Sequence, residues 1–200
     1  MASDVADVIV VGAGNAAFCA ALAAREQGAS VLVLEAAPED ESGGNSRFTA
    51  GSIRVVYNGV DDIRALVPDL TDEEVRTTDF GTYTQDQFFD DMSRVTQDRA
   101  DPDLVELLVT RSFATLNWMR EKGVRFIPIY GRQAFKIDGK FKFWGGLTVE
   151  SVGGGPGLVA MLTKAAQKRG IGIRDQPIGQ GLHIGLVAPR RKRCNTDGYG

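Results

Sequence analysis

Val8-Ile9-Val10-Val11-Gly12-Ala13-Gly14-Asn15-Ala16-Ala17 opens the stretch that decides the fold, and Val31-Leu32-Val33-Leu34-Glu35 closes it. Four β-branched residues in a row predict a strand at Val8–Val11, buried on both faces as in a parallel sheet. Gly12-Ala13-Gly14 turns the chain. The alanine-rich run Asn15–Gln27 reads as a helix stopped by Gly28. A second apolar strand, Val31–Leu34, ends at the acid Glu35. The order strand, glycine turn, helix, strand, acid is a βαβ unit and sets the class as α/β.

The turn also has a chemistry. A helix N-terminus offers unpaired N–H groups and partial positive charge, so it suits a phosphate. Gly12 permits the tight turn, Gly14 leaves room for a pyrophosphate, and Ala17 is small enough for the helix to pack on the strand. Asn15 and Ala16 belong to the same first helical turn. Glu35 stands 21 residues after Gly14, placed to accept hydrogen bonds from a ribose diol. Its charge opposes a 2′-phosphate, which argues against NADP. A dinucleotide site follows, with a glycine turn in an ordinary α/β protein as the plainer alternative. The polar loop Glu41–Ser52, with Gly43, Gly44, Asn45, Ser46 and Gly51, favours FAD over NAD, because a flavin nucleotide needs more donors than the first turn supplies.

Beyond this unit the periodicity predicts several further elements. Thr71 and Glu74 are spaced as a capping box for a short helix to Arg76. Thr84–Thr96 is amphipathic. Asp101 and Pro102 start another helix, whose apolar stripe is Leu104, Leu107, Leu108, Leu116 and Met119 and which Gly123 closes. Val124–Ile129 reads as a strand, and Phe135–Phe143 as a hairpin turning at Asp138-Gly139. Tyr130 and Trp144 read as core aromatics, with flanking a flavin as the alternative. Glycine-rich Val152–Gly157 precedes a helix at Leu158–Lys168 and a strand at Ile171–Ile173.

Composition removes several classes. The chain has 200 residues, 43% hydrophobic and 24% charged, with a net charge of −3, so no global field recruits nucleic acid. The basic run Arg190–Arg193 lacks interleaved aromatics and reads as a solvated tail. Two cysteines, Cys19 and Cys194, make no disulfide framework, and no basic segment precedes the first apolar run; a cytoplasmic protein is expected. No apolar stretch of about 20 residues predicts a membrane span. No metal site is expected.

The pattern Asp7-to-Gly14, Glu35, Gly43-Gly44-Asn45-Ser46 and Ala50-Gly51, with Gly153-Gly154-Gly155 before a helix, resembles the FAD-dependent fumarate reductase and succinate dehydrogenase flavoprotein superfamily. The Gly-Gly-Asn-Ser loop is most similar to that of tricarballylate dehydrogenase and related FAD-dependent dehydrogenases. The resemblance runs from about Val5 to Arg174 and implies an N-terminal part of such a protein. It implies a Rossmann-like FAD-binding domain from residues 1–60 and 150–175, with a helical and hairpin insertion at 61–149 that begins a capping region. Residues 176–200 stand apart as a tail, as a frameshift or premature end would leave. By this resemblance Gly12, Gly14, Ala17, Glu35, Gly44, Asn45, Ser46 and Gly51 hold FAD, Glu35 at the adenosine ribose and Asn45–Ser46 toward the flavin.

The implied reaction moves a hydride between flavin and a small organic acid, with an electron-transfer partner. The alternatives are a non-catalytic nucleotide-binding fragment and a simple NAD module. No catalytic residue is assigned. Arg47, Arg54 and Arg132 are the arginines that could face a substrate, and His183, the only histidine, falls in the tail.

Overall fold

A computed structural model describes residues 5–175. In chain order the elements are β1 (Val8–Val11), α1 (Asn15–Glu26), β2 (Val31–Glu35), α2 (Gly44–Arg47), β3 (Ser52–Ile53), α3 (Val60–Leu66), α4 (Asp72–Thr77), β4 (Thr78–Asp79) and α5 (Gln85–Thr96). They continue with α6 (Pro102–Lys122), β5 (Phe126–Pro128), α7 (Tyr130–Gln133), β6 (Ala134–Ile137), β7 (Lys140–Phe143), β8 (Val149–Ser151), α8 (Gly154–Lys168) and β9 (Gly172–Asp175). His183, Cys194 and Arg190–Arg193 lie outside the described residues.

The first sheet is parallel, in the order β1-β2-β9, with Val8 opposite Val31 and Glu35 opposite Asp175. This is the βαβ unit the sequence predicts. Val8 and Val10 pack with the buried Val31 and Val33 beneath α1 and α8, which contribute Phe18, Leu22, Leu158 and Leu162. The other face differs from expectation. Ile9 is 47% and Val11 72% exposed, so β1 is not buried on both sides. The helices cover one face only, and β1 is one of the two edge strands. An unbroken apolar run identifies a strand without saying what lies over each face.

A second, antiparallel sheet, β3-β8-β5, sets Ser52 beside Glu150 and Glu150 beside Ile127. A third, β4-β7-β6, holds the predicted hairpin. Asp138 and Gly139 both take positive φ, as a two-residue hairpin turn requires. One hairpin face is core: Phe143 stacks on Phe80, and Tyr130 packs against Phe141 and Phe143. Trp144 corrects the expectation of a core aromatic, because it is 60% exposed and meets the exposed Phe135 edge-on.

The helix signals hold locally. Thr71 and Glu74 form the capping box of α4, and the Asp101 carboxylate accepts from the N–H groups of Asp103 and Leu104 at the start of α6. The stripe on α6 is covered only in part. Leu116 and Met119 are buried, whereas Leu104, Leu107 and Leu108 are exposed. α3 and α5 pack against α6, and these leucines line an open groove toward α1.

Candidate functional site

The β1–α1 turn is tied down by its neighbours. The Gly12 N–H donates to the Leu34 carbonyl at 2.7 Å, and the Ala13 N–H donates to Glu35 Oε2 at 2.8 Å. Glu35 Oε1 accepts from the Ala37 N–H at 3.0 Å. Burial alone would raise the Glu35 carboxyl, but backbone donors from Ala37, Ala13, Ala36 and Gly43 outweigh it and hold it below its ordinary value. The two shortest of these bonds, from Ala13 and Ala37, fall on different oxygens of the carboxylate, which fixes its plane at the end of β2.

The first bond inside α1 runs from the Phe18 N–H to the Gly14 carbonyl, which orphans the three N–H groups before it. Asn15 gives its N–H to Ser46 Oγ at 3.0 Å. The N–H groups of Ala16 and Ala17 are left at the helix end, where an anion is favoured. A Cβ on Gly14 would come within 3.3 Å of both the Gly43 carbonyl oxygen and Ser46 Oγ. The cleft between the two loops therefore admits backbone here, as a pyrophosphate cradle needs, and these residues fit the dinucleotide. The expected residues Gly12, Gly14, Asn15, Ala16, Ala17 and Glu35 thus share one turn, and Ser46 joins them from the second loop.

That second loop is not wholly irregular, since Gly44–Arg47 forms a helical turn, α2, packed on α8. Thr49 continues it. Its hydroxyl donates to the Ser46 carbonyl, its Oγ accepts the Gly51 N–H, and its carbonyl accepts the Gly155 N–H at 3.0 Å. A side chain at Gly155 would overlap the Ser46 carbonyl oxygen. The run Gly153-Gly154-Gly155 therefore serves, first of all, to bring α8 against the loop carrying Gly43, Gly44, Asn45, Ser46 and Gly51.

Sequence reasoning missed one cluster beside this loop. Arg54 Nη1 donates to the Tyr83 hydroxyl and to Asp91 Oδ2, both at 2.9 Å, and the Tyr83 hydroxyl donates to Asp91 Oδ2 at 2.7 Å. The guanidinium lies over the Tyr83 ring, 5.3 Å from its centroid. Burial, with the Asp91 hydrogen bond, pushes the Tyr83 phenol up to about 12. Hydrogen bonds from Arg94 and Tyr83, with the charge of Arg54, hold the Asp91 carboxyl below its usual value. Tyr83 lies ahead of the Thr84 N-cap of α5, in a β-bridge with Tyr57, so helical spacing gave no signal for its meeting with Asp91. Of the other arginines considered, Arg47 donates to the Ser42 carbonyl and Arg132 pairs with Glu150 at 3.6 Å.

Among the described residues no group of three or more metal-ligating side chains gathers, and no helix is long and apolar enough to cross a membrane.

Residues 7–188 match the FAD binding domain family, so the match runs past Arg174, where the sequence resemblance was placed to end. A probable fumarate reductase, Ifc3, of Shewanella frigidimarina is 28% identical over 178 residues, covering 86% of this chain and 26% of the relative. The 3-oxo-5-alpha-steroid 4-dehydrogenase of Comamonas testosteroni is 32% identical over 161 residues, 78% of this chain and 27% of that protein. Among solved structures, the open conformation of a flavocytochrome c3 fumarate reductase superposes with a TM-score of 0.57 at 27% identity, over 85% of this chain and 26% of the other. The chain thus spans about a quarter of the length of the curated relatives it matches. These likenesses set FAD above NAD as the cofactor, and the chain belongs to the FAD binding domain family of flavin-dependent oxidoreductases.

Proposed function

We propose that this chain is the cofactor-holding part of an oxidoreductase that transfers a hydride between FAD and a small organic acid. The observation that carries the reading is the junction of two loops at one helix end, where Glu35 fixes Ala13 and Ser46 fixes Asn15. Bound FAD supplies the hydride chemistry itself. The chain's part is to bind and orient. The N–H groups of Ala16 and Ala17 and the space at Gly14 receive the pyrophosphate, Glu35 receives the adenosine ribose, and Gly43, Gly44, Asn45, Ser46 and Gly51 take the flavin side. The division into residues 1–60 with 150–175 as the FAD domain, and 61–149 as an insertion, belongs to the same reading, as do an electron-transfer partner and a cytoplasmic setting.

The test is purification with excess FAD. A yellow protein with protein-bound flavin absorbance is expected, bleached by a dicarboxylate-type donor such as succinate or reoxidised by fumarate. A protein that takes up FAD but exchanges no electrons with either acid leaves the non-catalytic fragment. A colourless protein that takes up no FAD overturns the reading.

A further inference from the structure

Among the described residues, a groove between α1 and α6 is left unused by the dinucleotide site. It has a volume of about 860 Å³, within the range of small-molecule sites, roughly 300–1,000 Å³. Its lining includes Asn15, the first residue of the dinucleotide helix, together with Arg54 and Arg111. Leu104, Leu107 and Leu108 form its apolar side. Among the described residues no carboxylate lines it. An apolar cleft with two guanidiniums and no acid is complementary to an anion with a hydrocarbon body.

The charge balance supports this. Asp91 is the one acid on Arg54, and it is shared: Oδ2 takes Arg54 and Oδ1 takes Arg94 at 2.6 Å. With Tyr83 neutral, the cluster keeps one positive charge. Arg111 has no ion pair among the described residues. The segment after Arg54 is tied to α6, because the Val56 N–H donates to the buried Ser112 Oγ at 3.1 Å. Arg54 is also stiffened by the Tyr83 and Phe88 rings beneath it, which lowers the entropy lost when it grips a ligand.

We infer that Arg54 and Arg111 form a carboxylate-recognition site in this groove, with the leucines of α6 taking the apolar body of an organic acid. None of the residues placed on the flavin side lines the groove, so the inference goes beyond the oxidoreductase reading: it assigns a second site, for an amphiphilic monocarboxylate held as a ligand rather than as the acid that exchanges hydride.

The test uses the whole chain, purified with FAD, titrated by calorimetry with 3-phenylpropanoate, its neutral amide and succinate. Trp118 lines the groove, so Trp144→Phe leaves a single tryptophan whose emission reports occupancy. The expected result is binding of 3-phenylpropanoate in preference to both comparison compounds. Arg54→Gln should weaken it by about tenfold or more, the scale of one lost charge-assisted hydrogen bond. Arg111→Gln, at an exposed site that bears no fold contact, should weaken it by about threefold. Arg54→Lys should restore part of the loss. Equal binding of acid and amide, or unchanged affinity in Arg111→Gln and in an Arg54→Gln protein with native circular dichroism, would overturn the inference. Flavin absorbance in the same samples separates the two claims. FAD retained without acid binding sinks the groove site alone, whereas loss of FAD sinks the underlying function.

Discussion

Gly51 offers the sharpest test of how the second loop is held. Its φ is +74°, and a Cβ there would overlap Ser151 Oγ and lie 2.7 Å from the Gly154 carbonyl carbon. Gly28 is the matched control, with φ +85° and nothing within 4 Å of the same added atom. Gly28→Ala should therefore report backbone strain alone, about 1–2 kcal/mol. Gly51→Ala adds displacement of the first turn of α8, about 1–3 kcal/mol more. The total, about 2–5 kcal/mol, is a large share of the roughly 5–15 kcal/mol that a folded domain commands. Ser151→Ala should not rescue it, because the Gly154 backbone stays in place and the bond from Ser151 Oγ to the Gly154 carbonyl is lost as well. Equilibrium urea unfolding, followed by circular dichroism with and without FAD, measures both variants. If Gly51→Ala and Gly28→Ala unfold at the same midpoint, the close seating of the loop on α8 is refuted.

Three further outcomes are expected. Glu35→Gln keeps one acceptor oxygen and turns an amide toward the other N–H, so FAD affinity measured by fluorescence quenching should fall about tenfold or more. Glu35 and Asp91 both titrate below their ordinary values in the folded chain, so their stabilisation is complete above about pH 5 and is lost as pH falls through the folded values. Acid unfolding should accordingly be shallower in Asp91→Asn, and an unchanged acid limb would contradict the assignment. Burial pushes the Cys19 thiol up to about 11, so alkylation at pH 8 in a Cys194→Ser background should be slow until urea is added, since only the thiolate reacts.

The dinucleotide unit was legible because its signals are local. A β-branched run, two glycines, a helix stop and an acid all fall within Val8–Glu35 and need no distant partner to be read. The capping box at Thr71 and the turn at Asp138-Gly139 are local in the same way. What escaped was non-local. β3 and β8 are two and three residues long and meet across a wide sequence gap, so no periodicity announces them. Arg54 finds Asp91 only once α5 is placed. The leucines of α6 were read as a buried stripe because spacing describes a face, while burial depends on a neighbour that spacing does not contain. Of the candidate site, the two loops could be named from the sequence but their mutual ties could not. Nothing in the sequence says that Ser46 takes the Asn15 N–H.

The exposed side of β1 has a consequence for how this molecule would report on its surroundings. Val11 is the last residue before Gly12, so anything that settles over Ile9 and Val11 also bears on the foot of the nucleotide turn. Where binding at that face is coupled to binding at the turn, each ligand alters the other's affinity by the same factor. A partner segment so coupled would tighten or loosen FAD, and FAD would in turn grade the partner. The flavin's own fluorescence then becomes a gauge of association.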